Sequence, residues 1–88
     1  MFRLWGKTVK DNRTINDIVI RDPSEETRTH KVFNALHEIC MKFDLQEPIW
    51  LDKNITEFKR TSRTRFDKDS FIETIDFDYL EIQIIEES

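Results

Sequence analysis

The chain has 88 residues, a formal net charge of −4, a single cysteine and 36% charged residues. Seven Phe, two Trp and one Tyr supply enough large apolar surface for one hydrophobic core, which excludes a disordered chain. The lone cysteine excludes an internal disulfide, and the sequence shows neither a leader-like start nor an apolar run of the ~20 residues that a membrane span needs. We therefore expect one cytoplasmic domain over residues 1–88, with no membrane partner.

Charge is unevenly distributed along the chain. Residues 48–68 carry six bases against three acids, whereas residues 69–88 carry seven acids and no base. The acidic total argues against a generic nucleic-acid binder. The basic middle segment and the acidic end could either neutralise each other or face outward.

The first twenty residues predict a β-hairpin. Residues 2–10 form the first strand, and Asp11-Asn12 tolerates the left-handed backbone that a two-residue hairpin turn requires. Pairing without a gap across this turn predicts that Trp5 lies opposite Ile18. Gly6, the only glycine, indicates a bulge or a close approach by another element.

A long amphipathic helix follows the hairpin. Residues 22–26, Asp-Pro-Ser-Glu-Glu, match a helix start, with Asp22 as the cap and Pro23 at the first helical position. The helix is predicted to end near Phe43 or Asp44, before Pro48. Its apolar stripe consists of Val32, Leu36, Ile39 and Phe43.

The second half of the chain contains shorter elements. The apolar residues 48–51 are expected to plug the core, and residues 54–57 match a capping box that begins a short helix reaching about Thr61. Ile55 and Phe58 form its apolar stripe. Residues 62–70 are predicted to be irregular and residues 70–73 to form one helical turn. The alternation from Asp76 changes phase at Tyr79, which indicates a bulge or a strand that begins there.

These elements predict an α+β fold in the order ββααβ. We expect a three-stranded, mainly antiparallel sheet with the one long amphipathic helix packed on a face. The last strand should pair with the first or the second, because an isolated hairpin is marginally stable.

Three stretches carry a resemblance to a known group. Residues 2–7 (Phe-Arg-Leu-Trp-Gly-Lys), 48–54 (Pro-Ile-Trp-Leu-Asp-Lys-Asn) and 75–83 (Ile-Asp-Phe-Asp-Tyr-Leu-Glu-Ile-Gln) resemble small uncharacterised proteins of clostridia and related Firmicutes. The resemblance implies a bacterial cytosolic protein and supplies no activity and no site residues.

The basic segment is the main candidate binding surface. Hydroxyl groups and two phenylalanines accompany its positive charges, a mixture that suits a phosphate backbone with bases to stack. The alternatives are that the bases form a solvated surface, or that Arg63 and Arg65 pair with the acidic end of the chain. The candidate residues are Lys53, Lys59, Arg60, Arg63, Arg65 and Lys68.

Other chemical patterns are weaker. An acidic set could hold a divalent cation, but the Asp67-Lys68-Asp69 stretch lacks the glycine and glutamate of a calcium loop. Glu57-Phe58-Lys59 matches half of a nuclease metal site, although it falls in the predicted short helix. The acidic set consists of Asp67, Asp69, Asp76, Asp78 and Glu81.

His37 and Cys40 lie three residues apart on the long helix and could share a metal or act as base and thiol. His30 is two turns away, and no second cysteine is present. We expect Cys40 to be a small buried hydrophobe and both histidines to lie at the surface. One glycine rules out glycine-rich phosphate loops. We therefore assign no catalytic residue, no metal and no cofactor.

Small size and segregated charge favour a protein-interaction module that binds a protein partner or a second copy of itself. The acidic strand edge or the basic segment would be its surface. Nucleic-acid binding through the basic segment is the second hypothesis, and an enzymatic role ranks third.

Overall fold

The computed structural model describes residues 1–87, which form an α+β fold with a four-stranded antiparallel sheet and two α-helices. Ser88, the last residue of the predicted domain, lies outside the described residues. The strand order is β2-β1-β4-β3. The elements are β1 (Phe2–Lys10), β2 (Arg13–Asp22), α1 (Arg28–Lys42), α2 (Asp52–Thr61), β3 (Arg63–Phe66) and β4 (Tyr79–Glu86).

The hairpin turn is confirmed, but the predicted register is wrong by one residue. Asp11 and Asn12 adopt φ values of 52° and 64°, the left-handed backbone of a two-residue turn. Trp5 lies opposite Val19 rather than Ile18. Between the pairs Val9–Thr14 and Thr8–Asn16 the ladder skips one residue of β2, which is a β-bulge, and every pair farther from the turn is therefore displaced by one residue.

Helix α1 begins later than its start signal predicted. Asp22 is the last residue of β2, opposite Phe2, so its backbone is extended and its carboxylate accepts a hydrogen bond from the Ser24 N–H at 2.8 Å. Thr27 is the true cap, since its hydroxyl accepts from the His30 N–H at 3.2 Å. The predicted end is confirmed, because the cap there is Phe43.

The prediction of an irregular segment at residues 62–70 is wrong, since Arg63–Phe66 forms β3 and makes the sheet four-stranded rather than three-stranded.

Asn54, predicted to be a helix cap, is instead the third residue of α2 and is 1% exposed. Its amide donates to the Thr64 hydroxyl and to the Arg65 carbonyl, both at 2.9 Å. This buried network ties α2 to β3.

Strand β4 begins at Tyr79, the second of the two predicted alternatives, and it pairs with β1, one of its two predicted partners, and with β3 on its other side. It therefore lies inside the sheet, which corrects the idea that the acidic strand has a free edge for a partner. A short 3₁₀ turn at Lys68–Ser70 lies two residues before the predicted helical turn.

The core lies between the sheet and α1. Leu4, Ile39 and Ile82 are fully buried there. Gly6 faces α1 closely, because a Cβ at this position would lie 2.5 Å from Ile39 Cδ1. The glycine therefore permits close approach of the helix to the sheet, and it does not mark a bulge.

Candidate functional site

The predicted basic segment does not form one surface. In β3, Arg63 and Arg65 are exposed and alternate with buried Thr64 and Phe66, so the two arginines point away from the helices. Lys59 lies on α2 and lines a groove between the helices. The segment thus supplies charge to both sides of the sheet.

Two of the six bases are held in ion pairs. Lys53 Nζ lies 3.0 Å from Asp67 Oδ2, and Arg65 Nε lies 2.8 Å from Glu81 Oε1. The hydrogen bond from Lys53 lowers the pKa of Asp67 below its ordinary value. The other four make no ion pair with any residue of the described part of the chain: Lys59, Arg60, Arg63 and Lys68.

Three of the seven acids in the acidic end of the chain, all within the described residues, form ion pairs with bases from several elements. Glu81, only 5% exposed, contacts Arg65 and also lies 3.9 Å from Lys7. A dimer in which the basic segment of one copy contacts the acidic end of another would need these charges for its interface. Within a single chain they are already used in contacts with each other. The further pairs are Arg3–Glu86 at 2.8 Å and Arg28–Glu87 at 2.6 Å.

An apolar groove lies between the two helices. We call it the α1–α2 groove; it is a cavity of about 290 Å³ with almost entirely apolar walls. Phe33 of α1 is 48% exposed and Ile55 of α2 is 40% exposed, although Ile55 was predicted to belong to an apolar stripe with Phe58. Its lining residues are Thr29, Val32, Phe33, Trp50, Ile55, Phe58 and Lys59.

Trp50 forms the floor of the α1–α2 groove. Its ring meets Phe66 and Phe58 edge-on at centroid distances of 5.0 and 5.5 Å, and it meets Phe33 at 6.0 Å. The segment predicted to plug the core does so in part, since Pro48 is buried and Trp50 packs against the core while also lining the groove, whereas Ile49 is 48% exposed. Phe33 was not identified from the sequence; its position directly after Val32 on α1 was the available signal.

The opposite face of the sheet, here called the open sheet face, is covered by neither helix. Its side chains alternate with those that face the core. Lys7 Nζ lies 4.6 Å from the ring centroid of Trp5, and Arg65 Cζ lies 4.4 Å from that of Tyr79. The face includes Arg3, Trp5, Lys7, Asp17, Val19, Arg21, Arg63, Arg65, Tyr79, Glu81, Gln83 and Glu86, together with the buried Val9 opposite Tyr79.

The helix residues considered for metal or thiol chemistry do not converge. His30 contacts Glu26 at 3.1 Å and His37 contacts Glu47 at 3.3 Å, and both histidines are exposed, as expected. Cys40 is buried as predicted, and burial raises the pKa of its thiol to about 12. A thiol with this pKa is a poor nucleophile at neutral pH.

The acidic set is dispersed as well. Asp67 caps the 3₁₀ turn and contacts Lys53, while Asp78 accepts a hydrogen bond from the Asp11 N–H at 2.9 Å. Glu57 lies on α2 rather than on the strand that a nuclease site would require. Within residues 1–87, no cluster of three or more His, Cys, Asp or Glu side chains is placed to hold a metal ion.

Comparison of the chain with protein-family models, curated proteins and solved structures gives no match. The resemblance to small Firmicutes proteins therefore stays a hypothesis. No helix among the described residues has the length and apolar character to cross a membrane.

Proposed function

We propose that this protein is a non-enzymatic protein-interaction module that binds a short apolar segment of a partner protein in the α1–α2 groove. The observation that supports this proposal is the half-exposed pair Phe33 and Ile55 on the two walls, above the ring of Trp50. Apolar side chains that remain in contact with water gain free energy when a partner covers them. Aromatic side chains grouped in a groove are typical of the residues that dominate binding energy.

The size of the groove supports a side-chain ligand over a cofactor. Its volume of about 290 Å³ lies at the lower limit of small-molecule pockets, which begin near ~300 Å³. One or two apolar side chains fill such a space. Lys59 is the only titratable group among the described residues that line it, so no acid–base pair converges there.

The charge of Lys59 indicates the chemistry of the partner segment. This lysine lines the groove and makes no ion pair with any described residue. A partner residue with a carboxylate beside its apolar anchor would meet this charge. We infer a segment that presents one or two large apolar side chains followed or preceded by Asp or Glu.

Selection from a random peptide library tests this proposal. We expect the selected peptides to share the apolar anchor with an adjacent acid, and Phe33→Glu to weaken their binding about tenfold or more. Met41→Glu is the matched control, because Met41 also lies on α1, is 69% exposed and is outside the groove. Ile55→Glu repeats the test on the other wall. Peptides that bind Phe33→Glu and Ile55→Glu as tightly as the wild type would contradict the proposal.

A charge exchange tests the role of Lys59. Lys59→Glu should weaken binding of the selected acidic peptides, and replacing the peptide acid with lysine should restore binding to this variant. Isothermal titration calorimetry measures both affinities. Equal binding of acidic and lysine peptides to wild type and variant would remove the charge argument and leave only apolar binding.

Nucleic-acid binding through the basic segment of residues 53–68 stays a prediction. Lys53 and Arg65 are engaged with carboxylates, and Lys59 lines the groove. Any phosphate contact by the remaining bases is thus divided between the two sides of the sheet.

A further inference from the structure

We propose that the open sheet face is a second binding site, for single-stranded nucleic acid, in which Arg63 and Arg21 contact phosphates and Trp5 supports a base. This site is separate from the α1–α2 groove and lies on the other side of the sheet. The proposal rests on the charge of the face, on its aromatic rings and on their arrangement across the four strands.

The open sheet face is positive although the protein is negative. It carries five bases against three acids, a net charge of +2 on a chain whose formal charge is −4. Two of the three acids are already neutralised, because Glu81 contacts Lys7 and Arg65 and Glu86 contacts Arg3. The exposed Arg21 and Arg63 form no ion pair with other described residues. An anionic ligand therefore finds its electrostatic complement on this face.

Trp5 lies at the centre of the face. Its strand neighbours across the ladder are Val19 on one side and Gln83 on the other, and Arg63 is the next residue beyond Gln83. The indole N–H donates to Asp17 at 3.2 Å, which fixes the ring orientation. With strands about 4.8 Å apart, Arg63 is about 10 Å from Trp5, so one ligand can contact both.

The rings favour unpaired bases over a duplex. Trp5 and Tyr79 are half-buried and each has a cation against its ring, Lys7 and Arg65. Lys7 can move to a phosphate while a base takes its place on the Trp5 ring, because its contact with Glu81 is long at 3.9 Å and Arg65 keeps its own contact with Glu81 at 2.8 Å. Bases in a duplex are stacked on each other and cannot occupy such positions, whereas single strands stack on aromatic side chains of exposed sheets.

Fluorescence anisotropy with labelled oligonucleotides of about 12 nucleotides tests the proposal, because sites for single strands cover about 4–16 nucleotides. Oligo(dT) and oligo(rU) form separate arms, which distinguish DNA from RNA. We expect binding at about 50 mM salt that weakens with a log–log slope near −2 if three phosphates are contacted, at about 0.7 per phosphate. An unlabelled duplex should compete poorly.

Arg63→Ala and Arg60→Ala form a matched pair, since both remove one exposed arginine and only Arg63 lies on the open sheet face. Each phosphate contact of a single strand contributes about 0.7 to the log–log salt slope. Relative to ~1 M salt, one contact therefore raises the affinity at ~50 mM salt about eightfold, and this gain is lost when the contact is removed. We expect this loss for Arg63→Ala and a change below about twofold for Arg60→Ala. Equal losses in both variants would overturn the site in favour of diffuse electrostatic attraction.

Tryptophan fluorescence gives a readout that charge alone does not change. In Trp50→Phe the remaining tryptophan is Trp5, so its quenching on addition of oligonucleotide reports stacking. Absence of binding at ~100 µM protein and ~50 mM salt, the range of weak non-specific complexes, would overturn the proposal. A second result would also overturn it: the wild type sediments as a dimer, Arg63→Ala sediments as a monomer, and neither binds oligonucleotide. The open sheet face would then contact a second copy of the chain.

Discussion

Replacing Gly6 by alanine tests the close contact that places α1 on the sheet. An added Cβ would lie 2.5 Å from Ile39 Cδ1, 3.1 Å from Cγ2 and 3.2 Å from Cγ1. Carbon atoms in contact prefer about 3.5–4.0 Å, so the contact with Cδ1 is too short by about 1.0–1.5 Å. Rotation of Ile39 about χ2 moves Cδ1 and relieves only that overlap, at about 0.5–1.5 kcal/mol for an unfavourable rotamer. The other two contacts remain, because Ile39 is β-branched and fully buried.

The expected loss of stability follows from two opposing terms. Overpacking of a core costs about 1–3 kcal/mol. Alanine also restricts the unfolded chain, which returns about 0.4–1 kcal/mol. We expect Gly6→Ala to lower the free energy of unfolding by about 1–2 kcal/mol, and the melting temperature by about 5–15 °C for a domain of this size. Urea denaturation with an unchanged m-value measures the first quantity.

A double-mutant cycle with Ile39→Val identifies the cause. This substitution removes Cδ1, the atom closest to the added Cβ, and by itself costs about 0.5–1.5 kcal/mol. In the Gly6→Ala background it should cost nothing or stabilise, which gives a coupling energy of about 1 kcal/mol. Additive effects, or a Gly6→Ala variant as stable as the wild type, would refute the contact as the reason for glycine at this position.

Three further predictions concern buried or paired polar groups. Asn54→Ala should lower the free energy of unfolding by about 2–3 kcal/mol in urea denaturation, because it leaves buried partners of the carboxamide without hydrogen bonds. Lys53→Met should raise the pKa of Asp67, measured by NMR titration. The pKa of Asp67 in the folded protein lies below its ordinary value of 3.8. The Lys53–Asp67 pair therefore stabilises the fold above pH 3.8, and this contribution is lost as the pH falls through the pKa of the folded state. Cys40 should react with a thiol reagent only as the chain unfolds, and rapid modification of the native protein would contradict its burial.

The features that could be predicted correctly are those that depend on residues close together in the sequence. The Asp11-Asn12 turn, the apolar stripe of α1 and the start of β4 at Tyr79 follow from backbone preference and periodicity within a few residues. The register of the hairpin was not accessible in this way, because the bulge beyond Thr8 is set by pairing between strands. The predicted start of α1 at Asp22 was wrong for a similar reason, because the pairing of Asp22 with Phe2 in the sheet overrides the local capping pattern.

The candidate surfaces depended even more on tertiary structure. The exposed ring of Phe33 gains a role only because Trp50 and Ile55 come from distant segments to complete the groove. Trp5 was placed in a strand, but its exposure on an uncovered face follows from the position of both helices on the opposite side. Neither fact is contained in the spacing of residues within one element.

Strand β3 explains why the basic segment indicated one site in the sequence and serves two surfaces in the fold. Its four residues alternate, so Arg63 and Arg65 lie on the open sheet face while Phe66 supports Trp50 beneath the α1–α2 groove. The arginines are tolerated there because that face is solvated, and β4 brings Glu81 against one of them. The positive charge of this segment therefore indicates a strand with one solvent-exposed side. The α1–α2 groove and the open sheet face are separate surfaces, and the binding of a ligand to each is tested separately.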